Sequence, residues 1–291
     1  MINQSGPETC DSSAVRATPR FSCLIVNYQC GDYLVRCLRT LFDRLKGAFE
    51  VIVVDNASTD RSVANAKALN LPVTWICLPD NVGFGRGNNI AAGYATGDFL
   101  ILLNPDTELR DDCITPLLDY LDGHPDIGLI GGRHDDRNGC WQRSFGLTPT
   151  LKLELEYALA PKRFWSRLPE SSPQTPIEVD WVCGSFMILR RALSESIGLF
   201  DERFFLNDED INLCDRVRSA DLKVIYLPIQ GVVHFGGVSK SLYPSSSMEY
   251  YRSRKLYYRI NRGRLAEAAY VSTFWLRRLR DMVSIQRARF S

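Results

Sequence analysis

The nine cysteines of this 291-residue chain include no CxxC pair, and the closest neighbours, Cys23, Cys30 and Cys37, stand seven positions apart. With only three histidines (His124, His134 and His234), the chain lacks the donors at the spacing that a four-ligand zinc site requires. The cysteine count is odd, and most of the thiols lie in apolar stretches such as FSCLIVNY and VTWICLP. That pattern implies buried free thiols in a reducing cytoplasm and not a disulfide scaffold. No apolar run approaches the roughly 18 residues of a membrane span. Residues 1–20, MINQSGPETCDSSAVRATPR, have neither an apolar core nor a helical stripe, and are expected to form a disordered leader, not a signal peptide. Neither sign of charge dominates: 35 Lys and Arg face 34 Asp and Glu, a net charge of +1. This balance excludes a wholly basic nucleic-acid-binding surface and an acidic disordered adaptor. No Ser-His or Cys-His pairing marks a protein nucleophile, and no internal repeat is present.

What remains is a globular composition, 45% hydrophobic and 24% charged, of a length that suits one large α/β domain or two small ones. FSCLIVNY (21–28), EVIVVDN (50–56), VTWICLP (73–79) and DFLILLNP (98–105) predict strands apolar on both faces. Helices are predicted between them: DYLVRCLRTLFDRL with Leu34, Leu38, Leu41 and Leu45 on one stripe, Thr59–Leu69 behind the cap signals Ser58-Thr59-Asp60, and Gly85–Ala95. Strands of this kind, separated by helices, imply a parallel sheet covered on both faces, with ligands beyond the carboxyl ends of the strands. Those ends carry Asn27, Asp55, Asp80-Asn81, and Asn104 with Asp106. Each alone is ordinary turn chemistry; the recurrence is the signal. Residues 146–178, rich in Pro and Ser, read as a long mobile loop or lid. VDWVCGSFMILRRAL follows as a strand entering a helix, and KVIYLP (223–228) and GVVHFGG (231–237) as two short strands.

Four segments can carry chemistry. Asp55 can accept a hydrogen bond from a base imide or a ribose hydroxyl, or can simply form the turn in DNAST. NVGFGRGNN (81–89) sets Gly83, Gly85 and Gly87 ahead of a helix start, where free N–H groups face anionic oxygens. It is not GxGxxG, because Asn88 stands where the last glycine would fall, and no GK[ST] follows it. Asn104-Pro105-Asp106 is either a strand terminator or an oxygen-rich site for Mg²⁺ or Mn²⁺. Asn207-Asp208-Glu209-Asp210 gathers three carboxylates before a helix, as macrodipole partners or as the source of a general base. His234 ends a later strand, a position open to a structural or a ligating role.

Taken in order, IVNY, VVDNASTD, NVGFGRGNN, LLNPD, WVCGSFMILRR, NDEDINLCDR and HFGGVS resemble the family 2 inverting glycosyltransferases, and most of all their bacterial rhamnosyltransferase branch, over about residues 21–240. The resemblance implies a glycosyltransferase A-type α/β fold. In it a Rossmann-like nucleotide-binding half (21–132) shares a mixed central sheet with an acceptor-binding half (133–240), and C-terminal helices follow (241–291). It also implies site roles. Asn27, Asp55, Asn81, Gly83, Gly85, Arg86 and Asn104 would bind the nucleotide-sugar, with Arg86 and the glycine turn near the diphosphate. Asp106 and His234 would hold Mg²⁺ or Mn²⁺. Asp210 would be the base, with Glu209, Trp181 and Gly184 on the acceptor side. Asn104 departs from the family's DxD pattern, removing one negative charge where the first Asp would stand. The implied donor is dTDP-rhamnose or a UDP-sugar, and the acceptor a hydroxyl of a bacterial surface glycan, such as O-antigen, or of a lipid-linked glycan. A nucleotidyltransferase making a nucleotide-sugar is a rival, although the first turn, NYQCGDY, offers no Lys or Arg before Arg36. A non-catalytic nucleotide-sugar-binding protein is another.

The neutrality of the whole chain is a cancellation. Residues 248–291 hold 11 Lys and Arg against 3 acids, +8, which leaves −7 on the remainder. Aromatic residues accompany this charge, and Leu276, Leu279, Val283 and Phe290 can share a helical face. Such a tail suits either peripheral association with the anionic cytoplasmic face of the inner membrane or packing on the domain or a subunit partner.

Overall fold

The structure, a computed structural model, describes residues 18–236 and 246–289. Most of the expected leader, the GVS end of HFGGVS, and the side chains of Val283 and Phe290 lie outside the described residues.

The first half alternates as its sequence pattern requires. β1 (Phe21–Asn27), α1 (Asp32–Arg44), β2 (Phe49–Asp55), α2 (Ser62–Lys67), β3 (Val73–Cys77), α3 (Phe84–Ala92) and β4 (Phe99–Leu103) follow one another. β1, β2, β3 and β4 pair in parallel, in the order β3-β2-β1-β4. α1 buries Leu34, Cys37, Leu38 and Leu41, with Asp32 in its first turn and Arg44 in its last, both favoured by the macrodipole. α2 starts later than its signals imply, at Ser62, whose N–H donates to Asp60 Oδ1 at 3.1 Å, while the rest of the signal binds a neighbouring loop. Ser58 Oγ accepts from the Gln29 N–H and Asp60 Oδ2 from the Gly31 N–H, tying this loop to the one after β1.

The second half comprises β5 (Thr107–Leu109), α4 (Ile114–Asp122), β6 (Ile127–Asp135), β7 (Trp141–Gln142), β8 (Phe145–Gly146), α5 (Leu151–Leu159), α6 (Pro161–Trp165), β9 (Ile177–Glu178), β10 (Trp181–Val182), β11 (Phe186–Arg190), α7 (Arg191–Ile197), α8 (Glu209–Ser219), β12 (Lys223–His234), α9 (Ser246–Arg262) and α10 (Arg264–Arg289). β11 enters between β4 and β6 antiparallel to both, so the sheet is mixed. Alternate residues of each strand face opposite layers. Ile25, Val53, Ile101 and Ile188 pack toward α1 and α4, whereas Leu24, Leu102 and Met187 pack with Leu213, Cys214 and Val217 of α8.

Two expectations change, and the tail takes one of the two forms expected of it. Residues 146–178 are not a featureless loop: α5 and α6 form there because α10 packs along α5, and Arg280 donates to the Tyr157 and Ala158 carbonyls at 2.8 and 2.9 Å. The two strands expected at 223–237 are one, β12, with its pairing to β6 interrupted between Leu227 and Val232. The basic tail is two helices, and one face of them is inside the protein: Tyr257, Tyr258, Tyr270 and Phe274 form a third core with Phe204 and Ile211.

Candidate functional site

The topology puts one end of β1, β2, β4, β6 and β12 and the entrance to β11 along a single edge. Polar residues at strand ends that are distant in sequence therefore converge. They line a cleft of about 870 Å³ that includes Asn81, Gly83, Asn104, Asp106, Trp181, Gly184, Glu209, Asp210 and His234. This volume lies within the range of small-molecule sites.

Asp106 and His234 meet because β5 pairs with the end of β12 in the register Thr107↔His234, and the Phe235 N–H donates to the Asp106 carbonyl at 3.0 Å. His234 Nε2 and Asp106 Oδ1 are 3.5 Å apart. Two donors at that spacing would together hold one divalent ion, the rest of its ligands coming from water and substrate phosphate oxygens. Gln142 donates to the His234 carbonyl at 2.9 Å. The His134 ring lies edge-on to His234, and its Nε2 is 2.8 Å from Ser185 Oγ. Burial, with His234 beside it, pushes the His134 pKa down to about 3, so this imidazole stays neutral. Among the described residues no third His, Cys, Asp or Glu completes a protein-only metal cage. The Asp106–His234 pair thus suits an ion completed by substrate.

The carboxylate run is differentiated by its entry into α8. Asn207 and Asp208 both take the left-handed conformation, φ 70° and 64°, which Asn and Asp tolerate better than other side chains. Asp208 does not cap the helix; its carboxylate turns to Arg254 of α9, at 2.6 and 2.9 Å. Glu209 is buried, and its Oε2 has no hydrogen-bond partner. Burial, reinforced by the neighbouring Asp210, holds the Glu209 pKa well above the usual carboxylate range. Asp210 is half-buried and opens on the cleft, where Oδ2 accepts from the Gly184 N–H at 3.2 Å and Oδ1 from the Ile211 N–H at 2.8 Å. Burial raises its pKa to about 6 against these two hydrogen bonds.

Two of the other expected residues sit behind the cleft. Asn27 and Asp55 are neighbours in register, and Asn27 Nδ2 donates to Asp55 Oδ1 at 2.7 Å. Both are buried and neither lines the cleft, although Asn27 Oδ1 is a buried acceptor without a partner. Asn56, one position on, does line it and donates to the Gly83 carbonyl at 3.0 Å. Asn81 Oδ1 accepts from the Gly83 N–H at 2.9 Å, shaping the turn. Gly83 has φ +90°, and a Cβ there would stand 2.4 Å from the Phe205 carbonyl oxygen; Gly85 packs on Phe200. Close chain packing is therefore the immediate use of these glycines. Arg86 is exposed, outside the cleft lining, and 3.5 Å from Glu202. Trp181 lines the cleft with its indole N–H held by the Leu147 carbonyl at 3.0 Å.

Sequence reasoning missed Arg254, Gln142 and Tyr250, all of which line the cleft, and named Asp208, which lines it too, only as one of a carboxylate run. Arg254 was visible only as one charge of a basic tail; no local pattern connects it to residues 46 and 100 positions away.

The model of the family described as "Glycosyl transferase family 2" matches residues 22–198. The chain belongs to glycosyltransferase family 2. This family 2 chain is 31% identical over 242 residues to an N-acetylglucosaminyl-diphospho-decaprenol L-rhamnosyltransferase of Mycobacterium tuberculosis, covering 77% of this chain and 78% of the relative. It is 27% identical to the rhamnosyltransferase WbbL of Escherichia coli K12, over 53% of this chain and 61% of that one. Among solved structures, likenesses in fold include Staphylococcus aureus TarS 1-349 (TM-score 0.54, 17% identity) and GalNAc-T7 with UDP, GalNAc and Mn²⁺ (TM-score 0.59, 17% identity). They cover 81% and 82% of this chain, which spans 64% and 51% of theirs. At that identity they show the glycosyltransferase A-type fold alone.

Proposed function

We propose that this chain is an inverting, metal-dependent glycosyltransferase that moves L-rhamnose from dTDP-rhamnose, or the sugar of a UDP donor, to a hydroxyl of a lipid-linked bacterial glycan. The observation that carries the reading is the placement of Asp210, a cleft-facing carboxyl with a pKa near 6, in the same cleft as the Asp106–His234 pair. A base of that strength is largely ionised at neutral pH yet takes a proton more readily than an ordinary aspartate. In a single displacement the acceptor oxygen bonds to the anomeric carbon as the bond to the diphosphate breaks, and the acceptor proton passes to Asp210.

The departing diphosphate needs positive charge. Among the described residues, the only Lys or Arg lining the cleft is Arg254, and it is engaged by Asp208 and Glu154. Asp106 and His234 would hold a divalent ion, which when bound supplies that charge. Arg36, the first cation after β1, pairs with Glu108 and lies over the Phe235 ring, which disfavours the nucleotidyltransferase alternative. Asn56, Asn81 and Asn104 would orient the donor and Trp181 the acceptor.

The rhamnose assignment and the lipid-linked acceptor rest on the names of the sequence relatives. No helix among the described residues is long and apolar enough to cross a membrane. Peripheral docking is supported by the +8 tail and by Trp275, Leu276 and Leu279, which α10 leaves exposed beside its buried Tyr270 and Phe274. Calorimetry with dTDP, UDP and GDP, each with and without Mn²⁺, tests the donor assignment. Metal-dependent preference for dTDP or UDP is expected, and equal or absent binding of all three would overturn it.

A further inference from the structure

We infer that Arg254, on the C-terminal helix α9, is a positioning residue for the reaction: by clamping Asp208 it fixes the entry of α8 that presents Asp210 to the cleft. This inference rests on the reading of Asp210 as the base.

The clamp is specific. Arg254 is 8% exposed and pairs with both oxygens of Asp208, Nε to Oδ2 at 2.6 Å and Nη2 to Oδ1 at 2.9 Å, a bidentate geometry that Lys cannot reproduce. Its remaining Nη1 reaches Glu154 of α5 at 2.7 Å, and its guanidinium carbon lies 5.0 Å from the centre of the Tyr250 ring. Ser253, the preceding residue, donates to the Leu206 carbonyl at 2.7 Å. The same turn of α9 therefore grips both ends of the segment Leu206–Asp208. Within that segment lie the two consecutive left-handed residues, Asn207 and Asp208. Such backbone persists only where its surroundings over-determine it. Two residues later comes Asp210.

The clamp also decides the local charge. Asp208 and Glu209 crowd Asp210 from its own segment, Cys183 faces it from the turn before β11, and Cys214 lies one turn further along α8. Arg254 is the cation opposing them: Asp208 adds to the burial-driven rise of Asp210, and Arg254 counteracts it. Removing Arg254 leaves the buried Asp208 carboxylate unpaired beside the base. The tail is thus part of the catalytic apparatus on this reading, and its role is not confined to a docking surface.

The test uses the full-length chain with Arg254→Met, Arg254→Lys, and Asp208→Asn combined with Arg254→Met. Arg254→Met should lower kcat about 100-fold, the scale of a misplaced catalytic group, with the donor KM changed less than about threefold. Carbon-13 NMR titration of the Asp210 carboxyl, assigned with Asp210→Asn, should move upward by roughly one pH unit in Arg254→Met. Arg254→Lys should keep the fold and titration while recovering only part of kcat, and the double variant should bring the titration back toward that of the parent. An unmoved Asp210 titration in a folded Arg254→Met, or full kcat in that variant, would overturn the proposal. Because the titration needs no substrate, it is separable from the functional reading, which fails instead if Asp210→Asn retains turnover.

Discussion

Asp210→Asn should abolish transfer and at the same time stabilise the fold at neutral pH. Asp210 has an ordinary pKa of 3.8 and in the folded chain titrates at about 6, chiefly through burial. Between those values the folded state binds more protons than the unfolded state, so stability falls as pH rises. The penalty is absent below about 3.8, grows to about 6, and is constant above it. At about 1.4 kcal/mol per pH unit the full penalty is roughly 3 kcal/mol at pH 7. An asparagine escapes it while its amide oxygen can still accept from Gly184 or Ile211, so the expected net gain is about 1–2 kcal/mol after repacking. The amide also removes a charge that raises the Glu209 pKa, a change of the same sign. For a chain of this size that corresponds to a Tm increase of about 2–3 °C. Urea denaturation of both proteins at pH 4, 6 and 8 is the assay. The difference should be near zero at pH 4 and largest at pH 8. A variant equal to or less stable than the parent at pH 8 would refute the claim that the Asp210 carboxylate is held in an unfavourable, reactive environment.

Three other outcomes follow from the same structure. Asp106→Ala should abolish the Mn²⁺-dependent part of nucleoside diphosphate binding, a loss of about 10–100-fold by calorimetry, and unchanged metal dependence would remove Asp106 as a ligand. Gly83→Ala should cost about 3 kcal/mol of stability in urea titrations, because the glycine-only backbone and the Phe205 carbonyl at 2.4 Å leave no place for a methyl group; a loss under about 1 kcal/mol would show that the turn relaxes freely. Trp275→Ser with Leu279→Ser should reduce sedimentation with anionic liposomes at least tenfold without altering the Tm, since both side chains are more than half exposed at 59% and 54%. Deleting residues 264–291 is a poor substitute, because it strips Tyr270 and Phe274 from the third core.

The chain carries two kinds of structural information, local and long-range. The alternation of β1 to β4 with α1 to α3 was legible because strands apolar on both faces and a leucine stripe at helical spacing report local preferences that burial reinforces. The polar strand ends were legible for the same reason: a residue that ends a strand sits at the sheet edge whatever lies farther along the chain. The helices of residues 151–165 were not, since α5 has little amphipathic character of its own and depends on α10, more than 100 residues away, for its packing.

By itself, then, the sequence determined the class of fold, the sheet edge on which the candidate cleft lies, and the candidates Asp106, Asp210 and His234. Only the tertiary structure decided which candidates face the cleft and which stand behind it. Asn27 and Asp55 hydrogen-bond to each other below the surface, Arg86 lies outside the lining, and Glu209 is buried while Asp210 opens on the cleft. It also decided that a tail legible only as a basic, aromatic helix delivers Arg254 to Asp208. The physical reason is that charge and hydrophobic period act within a turn or two of chain. Burial, pairing and the resulting pKa values depend on which distant segments the fold brings together.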